Sequence, residues 1–416
     1  MSLEGSVKRI IKLLFGVMAG SGIAQLVNML SIPVVAKFYG PLAFGVLSGF
    51  MVIRQIFGPI SLMRLDQRLL FAESDLNTDD QASAMVYLSL YTSLSVVVLV
   101  ALMDAFQLTL ISNFNPTSAL ILFALLFGAG LFAIVKFICL VHEDMKVFMI
   151  GSFIMALSCA GLRLWPNAYE YTNVEYLAAT AALTGLGVSF FCVKLLGWGG
   201  EAWKGGNALA LVALRSSSMY VKTRLQIDLL NQISRMGPAV VIPMVYGVNE
   251  LAMFWLVYRM VGIPFSMASE ALNSAVLRMF RGGATLSGVR VVGCGTLALT
   301  PIVAICVWFV ASVPDFTYAR LLGEEWAGVS DYVVCVTFWC GAAFVMTPSV
   351  ALVNALGLEA YWLRMSRVQT LLRCIIICVC PFYVDAVSFV KIFGSLNGLL
   401  YLLQSIVYIR VSRKAL

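Results

Sequence analysis

The chain has 416 residues, of which 61% are hydrophobic and only 12% charged, and its formal net charge is +7. A soluble domain carries about 25% charged and about 45–50% apolar residues. A chain this apolar cannot clothe a water-soluble globule, so a cytosolic enzyme and a disordered chain are both excluded. The apolar runs are long and continuous rather than alternating strands of about ten residues, which excludes an outer-membrane barrel.

A bilayer-spanning helix needs about 20 mostly apolar residues. Breaking the chain at polar, Gly and Pro clusters predicts twelve: 13–36, 42–63, 83–103, 119–141, 146–163, 177–197, 226–246, 251–275, 291–312, 329–354, 368–384 and 388–409. The first follows Lys8, Arg9 and Lys12. It is too long for the apolar core of a signal peptide and no small-x-small cleavage site follows, so it reads as a helix. With the N-terminus in the cytoplasm, eighteen of the 28 Lys and Arg residues fall on the inside and four on the outside. That bias fits the positive-inside rule with both termini cytoplasmic.

The longest loop, 198–225, is rich in Gly, Ser and basic residues. It reads as a cytoplasmic linker between an N-lobe (1–197, helices one to six) and a C-lobe (226–416, helices seven to twelve). Six is even, so both halves enter from one side, as parallel repeats about an axis along the membrane normal. An internal echo supports this. Phe38-Tyr39-Gly40 is followed by Arg54, Pro59 and Ser61, and Val245-Tyr246-Gly247 by Arg259, Pro264 and Ser266, with identical Arg–Pro–Ser offsets. The expected architecture is an all-α polytopic membrane protein of two six-helix lobes.

A cation at mid-span costs about 2.5–3.5 kcal/mol on insertion scales, and such residues face a partner or a watery cavity. Lys194 and Arg373 lie near the cytoplasmic ends of their predicted spans, where their stems can snorkel. Lys136 fits either reading. Arg54, Arg235 and Arg259 do not fit snorkelling. Helix seven carries Asp228, Asn231, Gln232 and Arg235 on one face; helix eight carries Arg259 and Glu270 three turns apart; helix one adds Gln25 and Asn28. One reading is a set of interhelical ion pairs and hydrogen bonds. The other, preferred here, is a hydrated cavity lined by helices one, two, seven and eight. There Arg54, Arg235, Arg259 and Lys136 would attract an anion, for which phosphate suits the guanidinium fork. Asp228 and Glu270 would pair with these arginines or bind a coupling H+ or Na+. Pro33, Pro59, Pro243, Pro264 and Pro348 lie in or near spans, where kinks are expected.

Cys374, Cys378 and Cys380 share one apolar helix without His or carboxylate partners, so they read as small apolar side chains rather than a metal site. The one histidine, His142, sits in the polar turn 142–146 and has no catalytic partner. No Gly-x4-Gly-Lys-Ser/Thr loop is present. These features point to a transporter without catalytic residues, metal or nucleotide cofactor.

The segments Gly20-Ser21-Gly22 to Pro33, Phe38-Tyr39-Gly40-Pro41 with Phe44-Gly45, Asp228 to Pro238, and Leu322-Gly323-Glu324-Glu325-Trp326 with Gly328 resemble, in order and spacing, the polysaccharide flippases of the multidrug/oligosaccharidyl-lipid/polysaccharide (MOP) exporter superfamily, in particular the Wzx-type translocases of O-antigen or exopolysaccharide repeat units. The likeness runs from about residue 15 to about 370. One departure lies after helix two, where Met63-Arg64-Leu65-Asp66-Gln67-Arg68 stands in place of the family's Leu-Arg-Tyr-Glu pattern. The resemblance implies two lobes in a V about a central cavity, and alternating access. The implied substrate is an oligosaccharide on a polyprenyl diphosphate, carried to the periplasmic leaflet of the bacterial inner membrane. Membrane lipids, a polysaccharide polymerase and a chain-length regulator are the implied partners, and nucleic acid is not among them. Gln25, Asn28, Asn231, Gln232 and Tyr258 would meet the sugars. A drug or cation exporter and a lipid II flippase of the same superfamily are the alternatives.

Overall fold

The structure is a computed structural model, and it describes residues 3–63, 65, 78–106, 111, 114–142, 145–165, 175–196, 218–280 and 286–414. Among them the ordered elements are all helical. The continuous helical stretch Leu3–Phe57 is two helices that meet at Gly40, where φ is 70° and ψ is 174°. That region is open in practice to glycine alone. We therefore number α1 (3–39) and α2 (41–57), followed by α3 (Thr78–Ala105), α4 (Pro116–Val141), α5 (Lys146–Arg163), α6 (Tyr176–Leu195), α7 (Ser218–Val245), α8 (Val248–Met279), α9 (Leu286–Ala311), α10 (Ser330–Ala355), α11 (Glu359–Val379) and α12 (Ala386–Lys414). A short helix, Asp315–Leu322, precedes α10.

Ten stretches are long and apolar enough to cross a bilayer, one of them being α1 and α2 together. The helix outside that set is α7, whose low mean hydropathy reflects Lys222, Arg224, Asp228 and Arg235. The twelve expected spans are thus twelve helices, in the expected order. α7 starts at Ser218, eight residues before the predicted span, because the charged turn 218–225 is helical rather than part of the linker. The rest of the predicted linker, 198–217, lies outside the described residues, as do Arg64 and Asp66–Arg68 of the loop after α2.

The chain forms two compact units. The first joins Met1–Ser31 to Leu42–Gln232, and the second joins Ile32–Pro41 to Ile233–Leu416. In the first, α4 lies at the centre against α3, α5 and α6. Small residues let these helices approach closely, as membrane helices require in the absence of a hydrophobic drive to associate. A Cβ on Gly130 would overlap the Ser89 hydroxyl, one on Gly151 would press on the Cys192 thiol, and the Ser189 hydroxyl donates to the Gly128 carbonyl at 3.2 Å. Asn115 caps α4 by accepting from the Ser118 amide at 2.7 Å, and Glu175 at the start of α6 accepts from both Asn115 Nδ2 (2.9 Å) and the Ser118 hydroxyl (2.5 Å).

In the second unit α10 is the centre, packed against α8, α9 and α12. Gly394 and Gly398 on α12 face the Cys335 backbone and the Phe338 ring, and Gly341 faces Val303. An aromatic row, Tyr246–Phe389–Phe393–Trp339–Tyr258, runs through this unit with centroid separations of 5.4–6.2 Å. The segment around Trp326 closes over the tip of α1: the indole Nε1 donates to the Ala36 carbonyl at 3.1 Å, and a Cβ on Gly40 would lie 2.7 Å from Glu325 Oε2. The family-like motif 322–328 is therefore the seat of the α1–α2 turn.

Candidate functional site

The sequence echo reappears as local structure. Gly40 (φ 70°) and Gly247 (φ 98°) both take the left-handed region and both end the first helix of their half. Downstream, the Ser61 hydroxyl donates to the Gly58 carbonyl at 2.7 Å and the Ser266 hydroxyl to the Ile263 carbonyl at 2.8 Å, the same three-residue reach in each copy. The two copies thus place Arg54 and Arg259 seven residues before equivalent serines, on the second helix of each half.

In the first unit Arg54 is half-buried near the end of α2. Its Nη1 faces Met51 Sδ at 4.0 Å, and Cys159 and Arg163 of α5 lie within electrostatic reach. Arg54 forms no ion pair among the described residues. Arg163, which the sequence reading puts at an outer helix end, donates from Nε to the Thr180 hydroxyl at 3.3 Å. Gln25 and Asn28 on α1 are half-buried, and Gln25 Oε1 is a buried acceptor with no hydrogen-bond partner. Lys136 is exposed, with Nζ 5.9 Å from the centroid of the Phe148 ring. Asp228, Asn231 and Gln232 are half-buried on the first part of α7.

In the second unit Arg235 and Arg259 both interact with Tyr258. Tyr258 stacks with Phe254 and Trp255 at 5.9 and 5.6 Å, so a rigid aromatic shelf lies beside the two guanidinium groups. Such a shelf, apolar in body and polar at the phenol, suits a sugar or a cation-bearing face. Glu270 lies eleven residues further along α8 and is exposed. The structure therefore brings Arg235, Tyr258 and Arg259 together in one unit and Arg54 with Arg163 in the other.

Arg373 departs from expectation. The sequence reading lets it snorkel, yet it is 2% exposed and stacks over the Tyr401 ring at 4.8 Å. α11 begins at Glu359 rather than near 368, which puts Arg373 about four turns inside the helix. Also missed was a buried polar chain on α11 and α12: Gln369 Nε2 donates to Gln404 Oε1 at 2.7 Å, and Gln404 Nε2 to the Tyr408 hydroxyl. Its signal was present as Gln404 and Tyr408 one turn apart on an apolar helix.

No family model and no curated protein matches the sequence. Solved structures do match. The lipid II flippase MurJ in an inward-closed conformation aligns over 94% of this chain and 87% of its own, with a TM-score of 0.74 at 11% identity. A MOP-superfamily transporter from Pyrococcus furiosus, described as having a binding pocket of reversed polarity, aligns over 97% and 96% with a TM-score of 0.56 at 14% identity. An inward-facing multidrug-resistance MATE transporter of the same superfamily aligns over 96% and 95%, with a TM-score of 0.53 at 14% identity. The chain has the MOP-transporter fold. Two lobes of helices are the common architecture, and the likeness spans nearly all of each chain.

Proposed function

We propose that this protein is a flippase that carries a polyprenyl-diphosphate-linked oligosaccharide repeat unit from the cytoplasmic to the periplasmic leaflet by alternating access. In this reading Arg54, Arg235 and Arg259, with Lys136, hold the diphosphate, and Gln25, Asn28, Asn231, Gln232 and Tyr258 meet the sugars. The observation that carries it is the matched pair Arg54 and Arg259. Each is half-buried on a membrane helix, and Arg54 has no ion pair among the described residues, so a cation is held at a cost that an anionic cargo would offset. The lipid tail stays in the bilayer, and no bond is made or broken, so the protein is not an enzyme. Asp228 and Glu270 are the groups through which a proton or sodium gradient would act. The protein lies in the bacterial inner membrane with both termini cytoplasmic, where a polymerase and a chain-length regulator would take up its product.

The test is transport by purified protein in liposomes, using a fluorescent polyprenyl-diphosphate oligosaccharide and a membrane-impermeant reagent to score the outer leaflet. Wild type moves the substrate; Arg54→Ala, Arg235→Ala and Arg259→Ala move it more slowly, at unchanged protein level. Full transport by all three would end the reading. A second reading, lipid II as cargo, is favoured by the fold likeness to MurJ, a lipid II flippase. The two cargoes share the diphosphate and differ in the sugar, so competition by unlabelled lipid II in the same assay separates them. A cation or drug exporter would instead use acidic groups as its main binding elements, and the arginines argue against it.

A further inference from the structure

Within the second unit, Arg373 is a cation sealed away from solvent. It is 2% exposed, and its Nε and Nη2 have no hydrogen-bond partner. These two atoms form one of the two guanidinium edges whose N–H bonds run parallel, an edge that can hold a single acceptor with two hydrogen bonds. The face of the group is occupied by the Tyr401 ring at 4.8 Å. The ring covers that face and supplies no acceptor to the Nε and Nη2 donors. One turn before Tyr401 on α12, Asn397 is fully buried, and its amide is a second polar group with an unsatisfied atom, Oδ1. Arg235 on α7 lies within electrostatic reach of the same Tyr401. Arg373 itself stacks on that ring where α11 meets α12. No carboxylate forms an ion pair with Arg373 among the described residues. A buried, uncompensated guanidinium costs several kcal/mol, and unlike a lysine it cannot shed its proton to escape.

We infer that the second unit carries a small-anion site, in which Arg373 Nε and Nη2 chelate one monovalent ion of the chloride class beside Tyr401. The enclosure sets the size. Arg373 and Asn397 are closed to solvent, which excludes a lipid-linked diphosphate and limits the ligand to a compact ion. The site is separate from Arg54 and Arg259 and holds whatever the transported cargo is. Its role is to neutralise the positive charge that Arg373 brings into the seam, so that occupancy couples to the packing of α11 against α12.

The experiment uses the full chain in lipid nanodiscs, with thermal unfolding followed by intrinsic tryptophan fluorescence. Chloride is titrated against gluconate at constant ionic strength. Wild type gives a saturable rise in midpoint of about 5 °C. Arg373→Met removes the chloride dependence, whereas Lys194→Gln, which deletes an exposed cation, keeps it. A wild-type midpoint indifferent to chloride, as expected if bridging water alone serves these donors, overturns the inference. So does an Arg373→Met variant that responds as wild type does. Should Arg373→Met fail to fold, crystals of wild type grown in bromide decide the matter. An anomalous peak against Nε and Nη2 supports the site, and bromide only elsewhere refutes it.

Discussion

The two copies of the Tyr-Gly turn and its downstream Arg, Pro and Ser share a pattern and differ in mechanics. In the first half the glycine is clasped: Trp326 donates to the Ala36 carbonyl and the Glu325 carboxylate lies 2.7 Å from where a Gly40 Cβ would be. In the second half Gly247 has open space around it, and the turn is held one residue earlier, by the Tyr246 hydroxyl donating to the Pro381 and Val384 carbonyls at 3.1 and 2.8 Å. Beyond the arginine, α2 stops at Phe57 in a 3-10 turn over Gly58–Ile60, whereas α8 runs through Pro264 to Met279. The residue before the proline is glycine in one copy and Ile263 in the other. A proline removes one helical hydrogen bond in either case, but only glycine makes leaving the helix cheap. One motif therefore yields a helix end in one half and a kink site in the other.

That contrast can be broken in five places, and the largest effect is expected at the arginines. Arg259→Ala leaves Arg235 on the shared Tyr258 shelf, while Arg54→Ala leaves Arg163, whose Nε is engaged by Thr180. Transport should fall about a hundredfold in Arg54→Ala, equivalent to about 2.7 kcal/mol, and less in Arg259→Ala. Equal losses would erase the distinction between the halves. Next comes the turn itself. Gly40→Ala should cost about 2–3 kcal/mol in thermal stability, because its backbone lies in a region closed to alanine and Glu325 must also move. Gly247→Ala, with φ also positive but no neighbour within 4 Å, should cost about 1–2 kcal/mol. Third, Tyr246→Phe strips the donor from two carbonyls and should destabilise the second half by about 1.5 kcal/mol, read as a lower unfolding midpoint. Fourth, Gly58→Ala meets no atom within 4 Å and should raise the midpoint by about 0.5 kcal/mol equivalent. If the turn after α2 is a hinge, transport slows in the same variant.

The smallest effect is at the start of α12. Hydrogen bonds from Ser388 hold the Asp385 carboxyl below the usual carboxylate range. A depressed value means the cap contributes fully above the unfolded carboxylate pKa and is lost as pH falls through the folded one. Acid should therefore loosen the Tyr246 clasp, since Asp385 follows directly on Val384. In Asp385→Asn, the slight acid sensitivity of exchange at the Ser388 and Phe389 amides should vanish.

Hydropathy made most of this fold legible. Lys146–Arg163 has the predicted bounds, and most of the other helices begin and end within a few residues of theirs. The beginnings of α1, α7 and α11 lie further upstream than predicted, since the charged stretches around Lys8, Lys222 and Arg364 carry too little apolar character to register as span. That error at α11 hid Arg373. Distance from a helix end decides whether a stem can snorkel, and the end was misplaced by nine residues. The Tyr-Gly turns were legible because only glycine tolerates their backbone. Arg163 was not, because an arginine at the end of a span is the commonest place for one, and only the fold sets it beside Arg54.

The amide ladder of Gln369, Gln404 and Tyr408 has a thermodynamic corollary. Every member keeps its formal charge unchanged across the range of pH in which bacteria live. The ladder itself is thus blind to protons, and a proton gradient cannot be transduced through its three members. The ladder is therefore a spine between α11 and α12 whose hydrogen bonds persist where acidity differs from one membrane face to the other.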